Sequence, residues 1–490
     1  MCETHTAVVF FVGDRAYKLK KPVDLGFLDY TTVEARRIAC EREIALNRRF
    51  SPDVYLGVGE FRAPDAEASE PLVAMRRMPT ERRLSLLVQK GAAVDDALRS
   101  VARLLATHHA SSPRRPEVDA QGTRDALSAR WEASFAQVRG MAGEGSVPED
   151  MAEIEQLVRR YLAGRQPLFD MRIEQGRVVD GHGDLLAEDV FCLDDGPRVL
   201  DCLEFDDHLR YVDGLDDAAF LAMDLETLGA PEEAALFLAR YSEYSGDPAP
   251  PSLRHHYVAY RAFVRAKVSL IQALQGAPDA DLIARRLTAA TLRHLRSSAV
   301  GLTLVGGLPG SGKSTLSGAL ADRLGVTLLS SDRLRKDLAG IPADQPAAAP
   351  YGEGLYTPEW TARTYATLLE HAASLLERGE SVLLDATWSN AAQRDAAQRM
   401  AERTGADLVA LHCQAPDDVT SVRLDGRAAG PSDATLDVAL AMAQREPPWS
   451  EAVVIDTSGP LEGAVSQALA AVRPYGIGPP VFRRSYMDPD

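Results

Sequence analysis

The stretch "LVGGLPGSGKSTLSGAL", residues 304–320, constrains this chain more than any other part of it. Gly307-x4-Gly312-Lys313-Ser314 follows a short apolar run and precedes an amphipathic one, a pattern that calls for strand, tight glycine loop and helix. Glycines let backbone N–H groups turn inward around phosphate oxygens. Lys313 then bridges the terminal phosphates, and Ser314 offers its hydroxyl to Mg²⁺. Gly310, Ser311 and Thr315 complete the cradle. Lysine is scarce: seven of the 54 basic residues, three of them at positions 18, 20 and 21. In a chain that defaults to arginine, lysine marks places that call for a compact point charge.

A loop of this kind beginning only after about 300 residues implies that something else comes first, and 490 residues exceed what one core usually holds. Hydrophobic residues at 46% and charged residues at 26% are those of a globular chain. A net charge of −17 argues against general binding to nucleic acid or to an anionic membrane surface. Five cysteines without a C-x-x-C give neither a disulfide framework nor a zinc site, which fits the reduced cytoplasm. "AVVFF" (7–11) is too short to span a bilayer, and neither signal peptide nor membrane segment is expected.

Strands at about 301–306, 326–329, 381–385, 407–412 and 452–456 alternate with helical patterns, as in a parallel α/β sheet. Ahead of them, 7–12 and 16–20 read as a hairpin around "GDR". Residues 31–50 read as a helix and 71–78 as a strand. Helical patterns run through 95–110, 124–163 and about 214–296. Residues 178–205 read as loop, strand, turn and strand. The simplest division is 1–296, 297–474 and a tail at 475–490.

In the C-terminal part, "LLSSDRLRKDL" puts Asp332 just past a strand end and Arg335 within one helical turn, so both can face one cleft. A carboxylate there can take the proton of an attacking hydroxyl while the guanidinium holds an anionic group. Asp385, ending the apolar run "SVLLD", is placed to serve the Mg²⁺ shell. Arg394, Arg423 and Arg427 are candidates for a lid over the phosphates; the last two also read as a solvated helix face. "GLPGSGKST", "SSDRLRK" and "LLDAT" resemble the P-loop kinases of small molecules and of polynucleotide 5′ ends, a group that includes zeta toxins. That resemblance spans roughly 297–470 and implies phosphoryl transfer from ATP to a hydroxyl, with Asp332 as base.

In the N-terminal part, "GHGDLLAEDVF" (181–191) carries the chemistry. Asp184 is placed as a base, Asp189 as a metal ligand, and Asp201 follows in "VLDCLEF" at the next strand's end. Three carboxylates converging there would bind Mg²⁺ and orient a hydroxyl. His182 reads as structural. In "RAYKL", Lys18 is the candidate for the α/β phosphates, with Lys20 on the same strand face as runner-up. Glu43, on an apolar helix face, calls for a cationic partner; Glu41 reads as a surface charge.

"AYK", "CERE", "HGDL" and "LDCLEF" together resemble the aminoglycoside phosphotransferase family, a branch of the protein-kinase-like fold, over about 1–295. On that resemblance Asp217 in "DDAAF" would be structural. The pattern departs at Asp189, where the family usually has Asn. Extra negative charge beside Asp184 and Asp201 would weaken ATP binding or raise a pKa. Arg254, Arg261 and Arg265 form one helical stripe that reads either as a ligand for an acidic acceptor or as a solvated face. His255 and His256 lack partners at metal-ligand spacing.

The tandem resembles the bifunctional aminoglycoside phosphotransferase/ATP-binding proteins. The expectation is an α/β and α+β multidomain chain, a protein-kinase-like fold followed by a P-loop NTPase sheet. It would use ATP and Mg²⁺ to phosphorylate a sugar, amino sugar or nucleoside-like alcohol. Polynucleotide 5′-hydroxyl kinase activity and a non-catalytic ATP-sensing regulator are the alternatives.

Overall fold

The computed structural model describes residues 2–3, 6–24, 28–62, 69–141, 150–342, 345, 352–426, 436–444 and 447–472. The proposed tail at 475–490 lies outside them. Two compact units share the chain: Met1–Asp150, Phe169–Ala249 and His256–Leu292 form the first, and Met151–Leu168, Pro250–His255 and Arg293–Asp490 the second. The division is therefore not one point on the chain. The helix Met151–Ala163 belongs with the second unit because the residues around its end bind there. Arg160 donates to the Ala406 carbonyl at 2.8 Å and Arg165 to that of Thr404 at 2.6 Å. Ser252 likewise donates to Gly379 at 2.7 Å.

The first unit opens with an antiparallel sheet ordered Cys2–Glu3, Ala7–Val12, Arg15–Lys20, Glu70–Arg76, Tyr55–Phe61. Its hairpin pairs Val12 with Arg15 and turns at Gly13, whose φ of +59° suits glycine. The helix Val33–Asn47 starts where the Thr32 hydroxyl accepts the Ala35 N–H at 3.1 Å. It lays Cys40 and Ile44 against Ala16, Val73 and Met75 of the sheet. Strand Tyr55–Phe61 was not foreseen from the sequence: Gly57 and Gly59 dilute its alternation, and the pairing slips between Tyr55 and Gly57. Below the sheet, two short strand pairs, Val178–Asp180 with Tyr211–Asp213 and Val190–Leu193 with Gly196–Val199, carry the loops of interest. They rest on helices including Asp95–Ser111 and Gly214–Thr227. This is the protein-kinase-like arrangement expected.

In the second unit five parallel strands run in the order Thr327–Ser330, Val382–Asp385, Gly301–Gly306, Asp407–Gln414, Val453–Asp456. All six residues of Gly301–Gly306 are buried, as a central parallel strand covered on both faces requires. Leu316, Leu320 and Leu324 of the helix Lys313–Leu324 meet Ala464, Val465 and Ala468 of Leu461–Val472 and the strand residues Val305, Leu383 and Leu411. Each fully buried leucine contributes about 1.5–3 kcal/mol, so this contact anchors the helix that carries Lys313. The chain leaves the central strand first to one side and then to the other. Its carboxyl end is thus the switch point where open α/β sheets bind ligands. This is the expected P-loop sheet. Among the described residues no helix is long and apolar enough to cross a membrane.

Candidate active sites

The glycine loop lies at that switch point. Gly307, Gly310 and Gly312 hold φ values of +133°, +84° and +84°. A Cβ on Gly307 would lie 2.6 Å from both Ser311 Oγ and the Cys413 carbonyl, and one on Gly310 would lie 2.6 Å from Thr420 Cγ2. Only glycine fits. Gly312 caps the helix Lys313–Leu324 with no side chain, so the N–H groups of its first turn, Lys313 to Thr315, have no capping partner. They open into a cleft of about 370 Å³ lined by Gly310, Gly312, Lys313, Ser314, Thr315 and Arg423 among others. Lys313 itself is buried. Thr457 Oγ1 donates to the Ser311 carbonyl at 2.5 Å and fixes the loop from below.

Neighbouring strand ends bring the other residues to the same edge. Asp385 pairs in register with Val305, two residues before the loop, and with Ser330, two before Asp332. Burial pushes the Cys413 thiol up to about 12, with the Lys313 ammonium and the Asp385 carboxylate as its charged neighbours. Arg335 Nη1 donates to Asp332 Oδ1 at 3.0 Å, and its guanidinium lies 4.6 Å from the Tyr356 ring centroid. Burial raises the Tyr365 hydroxyl, which Arg335 and Asp332 also influence; it lies 3.2 Å from Thr387 Oγ1 and receives the Trp388 N–H at 3.2 Å. Trp388 is buried at φ +55°, a strained value for a bulky residue. Arg423 donates to the Thr457 carbonyl at 2.6 Å, beside the loop. Arg394 instead lies over the Trp449 ring at 5.4 Å. Arg427 falls outside the described residues.

In the first unit the strand Arg15–Lys20 presents both candidate lysines to one carboxylate. Lys18 Nζ is 3.0 Å from Glu43 Oε1, and Lys20 Nζ is 2.6 Å from Glu43 Oε2. Lys18 also lies 2.5 Å from Asp201, and Lys20 pairs with Glu204. Lys20 is thus a partner in the network and not an alternative to Lys18. Burial alone would lower the Lys18 pKa, but Asp201 and Glu43 together carry it well above its ordinary value. Burial would raise that of Glu43, and the two lysines overcome it and bring it down.

The loop 181–189 is held at both ends. Asp217 accepts the His182 and Gly183 N–H groups, each at 2.8 Å, and lies 3.0 Å from His109 Nε2. Asp224 accepts the Ala187 N–H at 2.8 Å. His182 reaches the Leu200 carbonyl at 3.0 Å, a positioning role. Between the clamps, burial raises the Asp184 carboxyl to about 6; Arg265 and Arg261 hold it down, while Asp201 and Glu188 push it up. Asp189 is pushed well above the carboxylate range by burial, then by Asp201, Glu188 and Asp184. Asp201 has φ +63°; its N–H donates to the Tyr55 hydroxyl at 3.1 Å, while the next N–H reaches Asn47 at 2.9 Å.

Asp184, Asp189 and Asp201, expected to converge on one metal position, lie near enough for the other two to push up the Asp189 carboxyl. Asp201 turns to Lys18, and among the described residues no group of three or more His, Cys, Asp or Glu stands placed to hold a metal. The donor chemistry still fits Mg²⁺: all are hard oxygens, and a cation would relieve the mutual repulsion recorded at Asp189. Arg261, read as a possible acceptor ligand, is bound by Asp216 at 2.7 and 2.8 Å. His256 accepts from Trp131 at 3.2 Å, and His255 lies 2.9 Å from His294. Tyr55, Asn47, Glu204, Tyr356, Tyr365 and Trp388 escaped the sequence reading. Only the second lysine facing Glu43 and Trp388, directly after "LLDAT", hinted at any of them.

The family described as "AAA domain" matches residues 302–448. The uncharacterized protein Rv2004c of Mycobacterium tuberculosis (strain ATCC 25618 / H37Rv) is 43% identical over 468 residues, covering 95% of this chain and 94% of that protein. The uncharacterized protein Mb2027c of Mycobacterium bovis matches to the same extent. This chain belongs to their family. The matched length takes in both units of this chain. Among solved structures, the GDP and kanamycin complex of APH(2")-IIia is 15% identical, covers 61% of this chain and 91% of that one, and has a TM-score of 0.38. An unliganded sugar kinase from Janibacter sp. HTCC2649 is 19% identical over 36% of this chain and 96% of that one, with a TM-score of 0.29. A gluconokinase from Sinorhizobium meliloti 1021 is 21% identical over 36% and 92%, with a TM-score of 0.27. The fold assignment comes from strand order and register, not from these likenesses.

Proposed function

We propose that this chain is an ATP-dependent phosphotransferase in which an aminoglycoside-phosphotransferase-like unit is joined to a P-loop kinase unit. Each unit passes the γ-phosphoryl group of ATP to a hydroxyl of a small molecule such as a sugar, amino sugar or nucleoside-like alcohol. The observation that carries this reading is the strand-edge set in the second unit. An uncapped helix start with buried Lys313 lies on the same sheet edge as Asp385 and the Asp332–Arg335 pair.

In that unit the N–H groups of the glycine loop and Lys313 hold the phosphates, and Arg423 stands beside them. Asp332 takes the proton of the acceptor hydroxyl as its oxygen forms the new bond to the γ-phosphorus, and ADP leaves with the electrons of the broken bond. Arg335, donating to Asp332 at 3.0 Å, keeps its carboxylate oriented. Mg²⁺, held by Ser314 and Asp385 here and by Asp189 and Asp201 in the first unit, would supply charge neutralisation. In the first unit Lys18, oriented by Glu43, serves the phosphates, and Asp184 is the base.

The test is transfer from γ-labelled ATP to a panel of alcohols and single-stranded oligonucleotides, with products identified by mass. Acceptor-dependent product that Lys313→Ala and Asp332→Asn reduce in the second unit, and Asp184→Asn in the first, supports the reading. ATP binding without any acceptor-dependent product would leave an ATP-sensing regulator instead, and labelled oligonucleotide ends would move the second unit to polynucleotides.

A further inference from the structure

Asp217 and Asp224 lie seven residues apart on the helix Gly214–Thr227, two turns along it, and clamp the two ends of the Asp184 loop. The helix Pro251–Leu274 is tied to the start of that same helix by the Arg261–Asp216 fork, one residue before the first clamp. Arg261 is buried, bidentate and stacked 4.9 Å from the Phe220 ring centroid, so its charge is spent on the fold. Arg265 stands one turn further on the same face. Both Asp184 and Asp224 feel its charge. It is partly buried, yet it makes neither a hydrogen bond nor an ion pair among the described residues.

A guanidinium with five donors, partly withdrawn from water and with no hydrogen-bonded partner among the described residues, keeps those donors open beside the proposed base. The charges around Asp184 are sorted by element. The carboxylates Asp189 and Asp201 belong with Lys18, on the side where the phosphates are proposed to bind, and Glu188 adds its charge from the Asp184 loop itself, whereas the opposing positive charge of Arg265 comes from the helix Pro251–Leu274. An acceptor hydroxyl at Asp184 therefore brings the rest of its molecule under Arg265.

We infer that Arg265 is an acceptor-binding residue of the first unit and selects an anionic alcohol, one carrying a phosphate or carboxylate group besides the hydroxyl that is phosphorylated. This rests on Asp184 being the base of that unit. A polycationic amino sugar would instead meet like charge at Arg265, and a neutral polyol would leave the guanidinium unpaired. A charge-assisted fork to an anion sets the expected preference at about 10- to 100-fold.

The test uses the full chain with Mg²⁺ and a non-hydrolysable ATP analogue, and calorimetry with matched probes: ribose 5-phosphate against ribose, glucuronate against glucose, and glucosamine as the cationic arm. The expected result is that one anionic probe binds at least about tenfold tighter than its neutral partner. Arg265→Gln should erase that difference between the anionic and neutral probes, and Arg265→Lys should restore part of it. Which anionic arm responds separates phosphate from carboxylate. The inference is overturned if neither anionic probe is preferred by the wild type, or if the preference survives Arg265→Gln. Asp184→Asn distinguishes this from the parent reading: anion preference retained with transfer undiminished sinks the catalytic assignment alone. Transfer abolished with no anion preference in the wild type sinks the Arg265 assignment alone.

Discussion

Asp184 and Glu43 show how burial makes a single carboxylate do different work. Asp184, raised to about 6, is a base only when ionised, so transfer by the first unit should fall as pH drops below about 6 and level off above it. The measurement is kcat/KM for the acceptor against pH. Because Arg265 favours the ionised form, Arg265→Gln should move this acid limb to higher pH. Glu43 is shared by two lysines and wholly buried. Glu43→Gln leaves two buried ammonium groups without it and should cost about 3–5 kcal/mol, read by denaturant unfolding. Lys18 and Glu43 were legible in the sequence because alternation on a strand and spacing on a helix show which side chains point inward. Glu204 on Lys20 and Tyr55 under Asp201 were not, since they come from 184 and 146 residues away and no local period links them.

At the scale of elements, the two loops are rigid for different reasons. The glycine loop is held by its own backbone, so Gly310→Ala, which brings a Cβ to 2.6 Å from Thr420 Cγ2 at φ +84°, should weaken ATP binding to the second unit by at least about tenfold. Equilibrium titration with a fluorescent ATP analogue checks this. The Asp184 loop is held by side chains from a helix. Asp217→Asn turns an amide donor toward one of two buried N–H groups and should cost about 1–3 kcal/mol. Its activity loss should exceed its stability loss, as paired unfolding and transfer assays would show. The strands of the parallel sheet were readable because buried runs of Val and Leu recur between helical stretches. Tyr55–Phe61 was not, because two glycines and a bulge interrupt its pattern. The turn of Asp201 toward Lys18 was not legible, because it depends on a left-handed backbone that spacing does not encode.

On the scale of the whole chain, the helix Met151–Ala163 is the instructive segment. Its apolar period marks it as helical but carries no label for the surface it covers, and its sequence neighbours belong to the first unit. It buries Met151, Ile154 and Val158, and around its end Arg160 and Arg165 supply donors to the carbonyls of Ala406 and Thr404, ahead of the strand Asp407–Gln414. Arg160 also pairs with Asp407. Those carbonyls lie beside a strand that flanks the one feeding the glycine loop. A fragment starting at 297 keeps the whole glycine loop yet strips these donors away, leaving acceptors that burial had withdrawn from water. It should therefore unfold at lower temperature than the second unit does within the full chain. Adding a peptide of residues 150–168 should raise its melting temperature and sharpen its transition, whereas the same peptide with Arg160→Ala and Arg165→Ala should not. Equal melting with and without the peptide would show that the helix is only a passenger on this unit.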